Sequence, residues 1–125
     1  MKVMVVDDSS FILLICKQAL EKSGYEVVEA LDGIEAVEKA QEHQPDFVIM
    51  DIALPKKNGF EATIMIQELL PKTKVLAISA IEEDWVKEKA IQSGCFDFLP
   101  KPFEAVHLLS LLDKAKDSSG DLKYG

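Results

Sequence analysis

The sequence predicts an α/β fold, an open doubly wound parallel sheet built from five β-α units, and three observations carry that prediction. Short apolar runs alternate with amphipathic segments five times along the chain. Parallel strands cannot be joined by a tight turn; each needs a crossover, normally a helix, and crossovers are right-handed. Five such units within residues 1–116 are too few to close an eight-fold barrel, so the sheet stays open.

The elements follow in order. Val3–Val6 is a short apolar strand that runs into Asp7-Asp8. Ser9 or Ser10 can cap the helix that follows, which extends to about Lys22 and is closed by Gly24 in the C′ position. Tyr25–Ala30 is the second strand, and Asp32-Gly33 turns the chain into a helix from Ile34 to His43, with Ile34, Val37 and Ala40 on one face and Pro45 as its stop. Phe47–Met50 is an unbroken apolar run, as expected of a strand buried on both faces, and it ends in Asp51. Leu54–Asn58 is a loop, Phe60–Leu70 a helix stopped by Pro71, and Val75–Ile78 a fourth strand ending in Ser79-Ala80. Asp84–Ser93 is a helix closed by Gly94, Cys95–Leu99 a weaker strand, and Glu104–Lys116 a last helix after Pro100-Lys101-Pro102. Residues 117–125 are polar and read as a disordered tail or the start of a linker.

Composition narrows the function classes. The chain has 125 residues, the size of one domain, 48% of them hydrophobic. A net charge of −8 argues against non-specific nucleic-acid binding, which depends on displacing counterions with Lys and Arg. No apolar run approaches the ~20 residues of a membrane span, and Met1 leads directly into a strand without a signal-peptide pattern, so a cytoplasmic protein is expected. Cys16 and Cys95 lack metal-type spacing, and their apolar neighbours suggest buried free thiols.

In an open parallel sheet, ligands bind beyond the carboxyl ends of the strands. Collecting the residues at those ends brings together Asp7 and Asp8, Asp51, Ser79 and Lys101. Three converging carboxylates repel one another, by on the order of 1 kcal/mol per pair at ~4 Å in water and several times that in a pocket, unless a cation balances them. Oxygen ligands without His or Cys suit Mg²⁺. A carboxylate beside Mg²⁺ can attack a phosphoryl group and hold it as an acyl phosphate, a reaction that needs charge neutralisation more than acid-base help. Lys101, the Ser79 hydroxyl and the Ala80 N–H can supply that neutralisation. The chain has neither a G-x-x-x-x-G-K phosphate loop nor a G-x-S-x-G elbow.

These stretches resemble the response-regulator receiver family, the CheY-like fold of two-component signalling: Val5-Val6-Asp7-Asp8-Ser9, Asp51-Ile52-Ala53-Leu54-Pro55 with Gly59, Ser79-Ala80, and Phe98-Leu99-Pro100-Lys101-Pro102-Phe103. The resemblance covers residues 1–116. It implies strand order 2-1-3-4-5 and phosphotransfer to Asp51 from a phosphohistidine on a sensor histidine kinase or histidine phosphotransfer protein. It further implies Mg²⁺, for which Mn²⁺ can substitute, held by Asp8, Asp51 and the backbone carbonyl of Ala53, with Asp7 acting mainly through a metal-bound water. Ser79, Ala80 and Lys101 bind the phosphoryl group, Ser79 and Phe98 form the switch, and the Lys101–Pro102 bond is cis. The domain then signals to a downstream protein or output domain through a face formed by the fourth helix, fifth strand and fifth helix, and acts as no enzyme beyond its own phosphorylation and dephosphorylation. The chain departs from the pattern at Phe98, where many members carry Tyr, and at Ser79, where Thr is common. Ala53 and Ile81 are both apolar at positions that influence loss of the phosphate.

Two alternatives share parts of this chemistry. An aspartate-based Mg²⁺-dependent phosphohydrolase would carry a D-x-D motif and a cap segment, whereas Asp7 and Asp8 are adjacent and no cap is present. A flavodoxin-like FMN carrier would need a Ser/Thr- and Gly-rich first loop, where Asp7-Asp8 would instead repel the FMN phosphate.

On the first helix, Ile12, Ile15, Cys16, Ala19 and Leu20 make one face, expected to be core. Phe11, Leu13 and Leu14 are surplus to it and form a candidate docking patch for a kinase or phosphotransfer helix, unless Phe11 folds onto the rim of the site. Trp85 either shields its loop or belongs to the output face. His43 and His107 read as surface or boundary residues.

Overall fold

The computed structural model describes residues 1–53, 58–81 and 83–121, with side chains as far as residue 116. Five strands, β1 (Lys2–Val6), β2 (Glu26–Ala30), β3 (Phe47–Asp51), β4 (Lys74–Ser79) and β5 (Cys95–Pro100), alternate with α1 (Ser10–Lys22), α2 (Gly33–His43), α3 (Gly59–Leu69), α4 (Asp84–Ser93) and α5 (Ala105–Asp121). All pairings are parallel, in the order β2-β1-β3-β4-β5.

The strand period of two separates the core into two layers. Met4, Val6, Val48, Met50, Val75 and Ala77 face α2, α3 and α4, meeting Ala36, Val37, Ala40, Ala62, Ile66, Val86 and Ala90. Val3, Val5, Phe47, Ile49, Leu76 and Ile78 face α1 and α5, meeting Leu13, Cys16, Leu20, Leu108 and Leu112. Every residue of β3 is buried, so the strand that ends in Asp51 is held from both sides.

Caps set the helix starts that flank the carboxyl edge. The Ser9 hydroxyl accepts the Ile12 N–H at 3.4 Å, Asp32 caps α2 by accepting the Glu35 N–H at 2.8 Å, and Asn58 caps α3 by accepting the Glu61 N–H at 2.9 Å. Gly24 follows α1 with φ +94°, the left-handed C′ geometry that glycine adopts without a Cβ clash.

Several expectations are corrected. On α1 the inward residues are Leu13, Cys16 and Leu20, while Ile12, Ile15 and Ala19 are half-buried. Both sets satisfy helical spacing; the rotation of α1 against the sheet selects between them. On α2, Ile34 is 46% exposed and Ala36 takes its place beside Val37 and Ala40. β2 begins at Glu26, although Tyr25 is buried. α5 continues through Asp121, so residues 117–121, expected as tail, have helical backbone. The expected loop falls on residues 54–57, outside the described residues; Asn58 belongs to the α3 cap. Cys16 and Cys95 are free and buried, as expected.

Candidate functional site

The carboxyl edge of the sheet assembles the residues collected from the strand ends. Asp7 and Asp8 follow β1, Asp51 closes β3, Ser79 closes β4 and Lys101 follows β5. One carboxylate oxygen each from Asp7, Asp8 and Asp51 lies within 4.8 Å of the others, with Asp7 and Asp51 buried and Asp8 exposed. Lys101 Nζ stands 2.7 Å from Asp7 Oδ2 and 3.2 Å from Asp51 Oδ2. The β3–α3 backbone fixes the other Asp51 oxygen: Oδ1 accepts the Ala53 N–H at 3.0 Å. Asp7 Oδ1 accepts the Ser9 N–H at 2.9 Å.

Electrostatics sets three carboxylates against one ammonium. Burial pushes Asp7 above the ordinary carboxylate range, and the charge of Asp51 adds to the push against the opposing pull of Lys101 and the Ser9 N–H. Burial acts downward on Lys101, yet Asp7 and Asp51 together hold its ammonium above the ordinary lysine value. Asp7 Oδ2 is fully buried and, among the described residues, meets the Lys101 ammonium at 2.7 Å without a well-directed hydrogen bond. A buried, under-satisfied carboxylate oxygen in an all-oxygen donor set fits a hard divalent cation such as Mg²⁺. Asp7, Asp8 and Asp51 are the residues able to hold it.

Ser79 is fully buried; its hydroxyl oxygen accepts the Ile81 N–H at 3.0 Å and its carbonyl accepts the Lys101 N–H at 2.8 Å. One residue thus links the start of the β4–α4 loop to the segment carrying Lys101. Ala80 is exposed beside it, and Phe98 is half-buried against the α2–α3–α4 layer. The Lys101–Pro102 bond is cis.

The surface candidates divide. Phe11 and Leu14 are 68% and 52% exposed, so Phe11 does not fold onto the rim, but Leu13 is 6% exposed and belongs to the core, which removes it from the patch. Trp85 is exposed, its indole N–H donating to Glu83 Oε2 at 2.6 Å. His107 is exposed, and His43 is half-buried with its Nε2 4.0 Å from Glu42 Oε1. Ser9 and Gly59 both lie in the stretches that carry the resemblance, but sequence spacing assigns neither its contact: the Ser9 N–H donates to Asp7 Oδ1, and the Gly59 N–H donates to the Ile52 carbonyl at 3.1 Å.

Fold and edge together define a doubly wound α/β domain with a cluster of three aspartates and a lysine at the carboxyl ends of its strands. The chain belongs to the response regulator receiver domain family, which matches residues 3–113. It is 40% identical over 114 residues to the chemotaxis protein CheY of Thermotoga maritima, covering 90% of this chain and 95% of that one. A CheY-like receiver domain from Methanospirillum hungatei superposes with a TM-score of 0.90 at 27% identity, covering 99% and 98% of the two chains. CheY in the CheX–CheY–BeF3–Mg²⁺ complex from Borrelia burgdorferi superposes at 0.87 with 29% identity, over 92% and 88%. The chain is a receiver domain of two-component signal transduction, and neither the phosphohydrolase nor the FMN-carrier alternative is favoured. Receiver domains interact with histidine kinases or phosphotransfer proteins. No helix among the described residues is long and apolar enough to cross a membrane.

Proposed function

We propose that Asp51 accepts a phosphoryl group from a phosphohistidine of a sensor histidine kinase or histidine phosphotransfer protein. An Asp51 carboxylate oxygen attacks phosphorus, a P–O bond forms as the P–N bond to the donor imidazole breaks, and the leaving nitrogen takes a proton from solvent. The observation that carries this reading is the placement of Asp51 within 3.2 Å of Lys101 and beside Asp7 and Asp8 at one edge of the sheet. The ammonium of Lys101, the Ser79 hydroxyl and the Ala80 N–H neutralise charge on the phosphoryl oxygens, where fixed donors act most strongly. Asp7, Asp8, Asp51 and the Ala53 carbonyl would hold Mg²⁺ or Mn²⁺, and such an ion supplies further charge neutralisation when bound. The BeF3- and Mg²⁺-containing complex of the Borrelia CheY supports this ligand class.

The same proposal extends to output. Phosphorylation favours a state in which the Ser79 hydroxyl donates to the phosphoryl group and Phe98 moves from its half-buried position inward, altering the face of α4, β5 and α5. A shift from 1:99 to 99:1 requires ~5.5 kcal/mol of preference for the active state, to which charge-assisted contacts of Ser79 and Lys101 contribute. Phe11 and Leu14 offer the donor an apolar docking patch. The domain acts on its own phosphorylation and dephosphorylation rather than on a separate substrate, and works in the cytoplasm.

The test is Mg²⁺-dependent labelling with acetyl phosphate or beryllofluoride. Asp51→Asn should abolish it, and stoichiometric labelling of that variant refutes the assignment.

A further inference from the structure

The start of α3 lies against the end of β3 more closely than any side chain permits. A Cβ added at Gly59 would stand 2.6 Å from the Asp51 carbonyl oxygen and closer still to Ile52 Cα. Both are main-chain atoms, so no rotamer change relieves the overlap; the helix start or the strand end must move. The Gly59 backbone lies outside the left-handed region, so it is the close approach that requires glycine here. The contact is also bonded, through the 3.1 Å hydrogen bond from the Gly59 N–H to the Ile52 carbonyl.

Gly59 packs against Ile52 and against Asp51, the residue whose carboxylate geometry matters most. Asp51 reaches Lys101 on the β5 side and the Asp7–Asp8 pair on the β1 side, both anchored by other elements. A displacement of the main chain at Asp51 and Ile52 therefore changes those distances. Lys101 cannot follow the move freely, because its N–H is tied to the Ser79 carbonyl at 2.8 Å and its ammonium to Asp7 at 2.7 Å.

We propose that Gly59 is a positioning residue for Asp51, setting the placement of its carboxylate relative to Lys101 and to Asp7 and Asp8 by letting α3 begin in contact with the β3 backbone. The consequence for phosphorylation rests on Asp51 being the phosphoacceptor; the placement itself does not.

The test compares Gly59→Ala with Gly24→Ala. Gly24 has φ +94° and nothing within 4 Å of an added Cβ, so alanine there strains the backbone at the opposite edge of the sheet and serves as a control for general destabilisation. Three measurements are made on each variant: the NMR signals of the Asp51 carboxyl carbon and Lys101 Nζ in metal-free protein, Mg²⁺ affinity followed by the fluorescence of Trp85, the single tryptophan, and the initial rate of labelling by acetyl phosphate. Gly59→Ala should shift both NMR signals, weaken Mg²⁺ binding and slow labelling by about tenfold or more, because misplacement of ~1 Å costs that much or more in a positioned reaction. Gly24→Ala, at comparable loss of melting temperature, should keep wild-type signals and remain within about twofold in affinity and rate. Wild-type signals and rate in Gly59→Ala, or equal defects in both variants, overturn the proposal. Should Gly59→Ala fail to fold in buffer, the comparison is made in a stabilising osmolyte; a variant still unfolded there assigns Gly59 to folding alone and also overturns it. If wild-type protein is not labelled at Asp51, the phosphoacceptor reading fails, while the metal-free signals still decide the role of Gly59.

Discussion

Lys101 is held more closely by Asp7 than by Asp51: its ammonium lies 2.7 Å from Asp7 Oδ2 and 3.2 Å from Asp51 Oδ2. In the order β2-β1-β3-β4-β5, two strands separate the element before Asp7 from the element before Lys101. The lysine thus spans the carboxyl edge of the sheet and pins its two buried acids together.

Lys101→Ala should destabilise the metal-free protein by about 2 kcal/mol at pH 7, since it leaves two buried carboxylates without their cation. The sign of the pH dependence follows from Asp7. Its folded-state pKa lies above the ordinary 3.8, so between the two values the folded chain binds more protons than the unfolded one, and stability falls as pH rises through that window. The loss caused by Lys101→Ala should therefore shrink as pH is lowered. For Lys101 itself, held above 10.5, the stabilising contribution is complete below that value and lost as pH rises through the elevated one. Urea denaturation of both proteins at several pH values without Mg²⁺ checks this; a penalty that grows on acidification contradicts it.

Adjacent residues on α1 should behave oppositely. Leu13 is core and Leu14 is 52% exposed. Leu13→Ala is expected to cost about 3 kcal/mol of stability through the cavity it leaves. Leu14→Glu should change stability by no more than about 0.5 kcal/mol, yet slow phosphotransfer from a phosphohistidine donor while leaving labelling by acetyl phosphate unchanged. An unchanged transfer rate removes the docking role from Phe11 and Leu14.

Neither cysteine should react in the native state. Burial pushes the Cys16 thiol up to about 12, with the nearby Asp7 charge adding, and the Cys95 thiol up to about 11. At pH 8 even Cys95 is then ~0.1% thiolate or less. Thiol-specific reagents should modify both residues only after unfolding; fast modification of the native protein would show a more open core than this one.

The strand-end chemistry was legible because strands here are short, apolar and terminated by residues that do not belong in a core. Asp7, Asp51 and Lys101 stand out against Val3–Val6, Phe47–Met50 and Cys95–Leu99, and a parallel sheet carries all such ends to one edge. Helix faces were less legible. The first helix has apolar residues at nearly every position from Phe11 to Cys16, so Ile12/Ile15/Ala19 and Leu13/Cys16/Leu20 both fit a 3.6-residue period. The same ambiguity hid the exposure of Ile34 and the inward place of Ala36.

By itself the sequence determined the order and type of the elements, the doubly wound parallel sheet, and which acids, hydroxyl and lysine meet at its carboxyl edge, because pattern and strand direction are local properties that topology rules then combine. The tertiary structure alone decided that Lys101 lies nearer Asp7 than Asp51, that Leu13 is core, and that Gly59 touches the Asp51 backbone. Each depends on how elements distant in the chain rotate and approach one another, which packing sets and local sequence spacing leaves open.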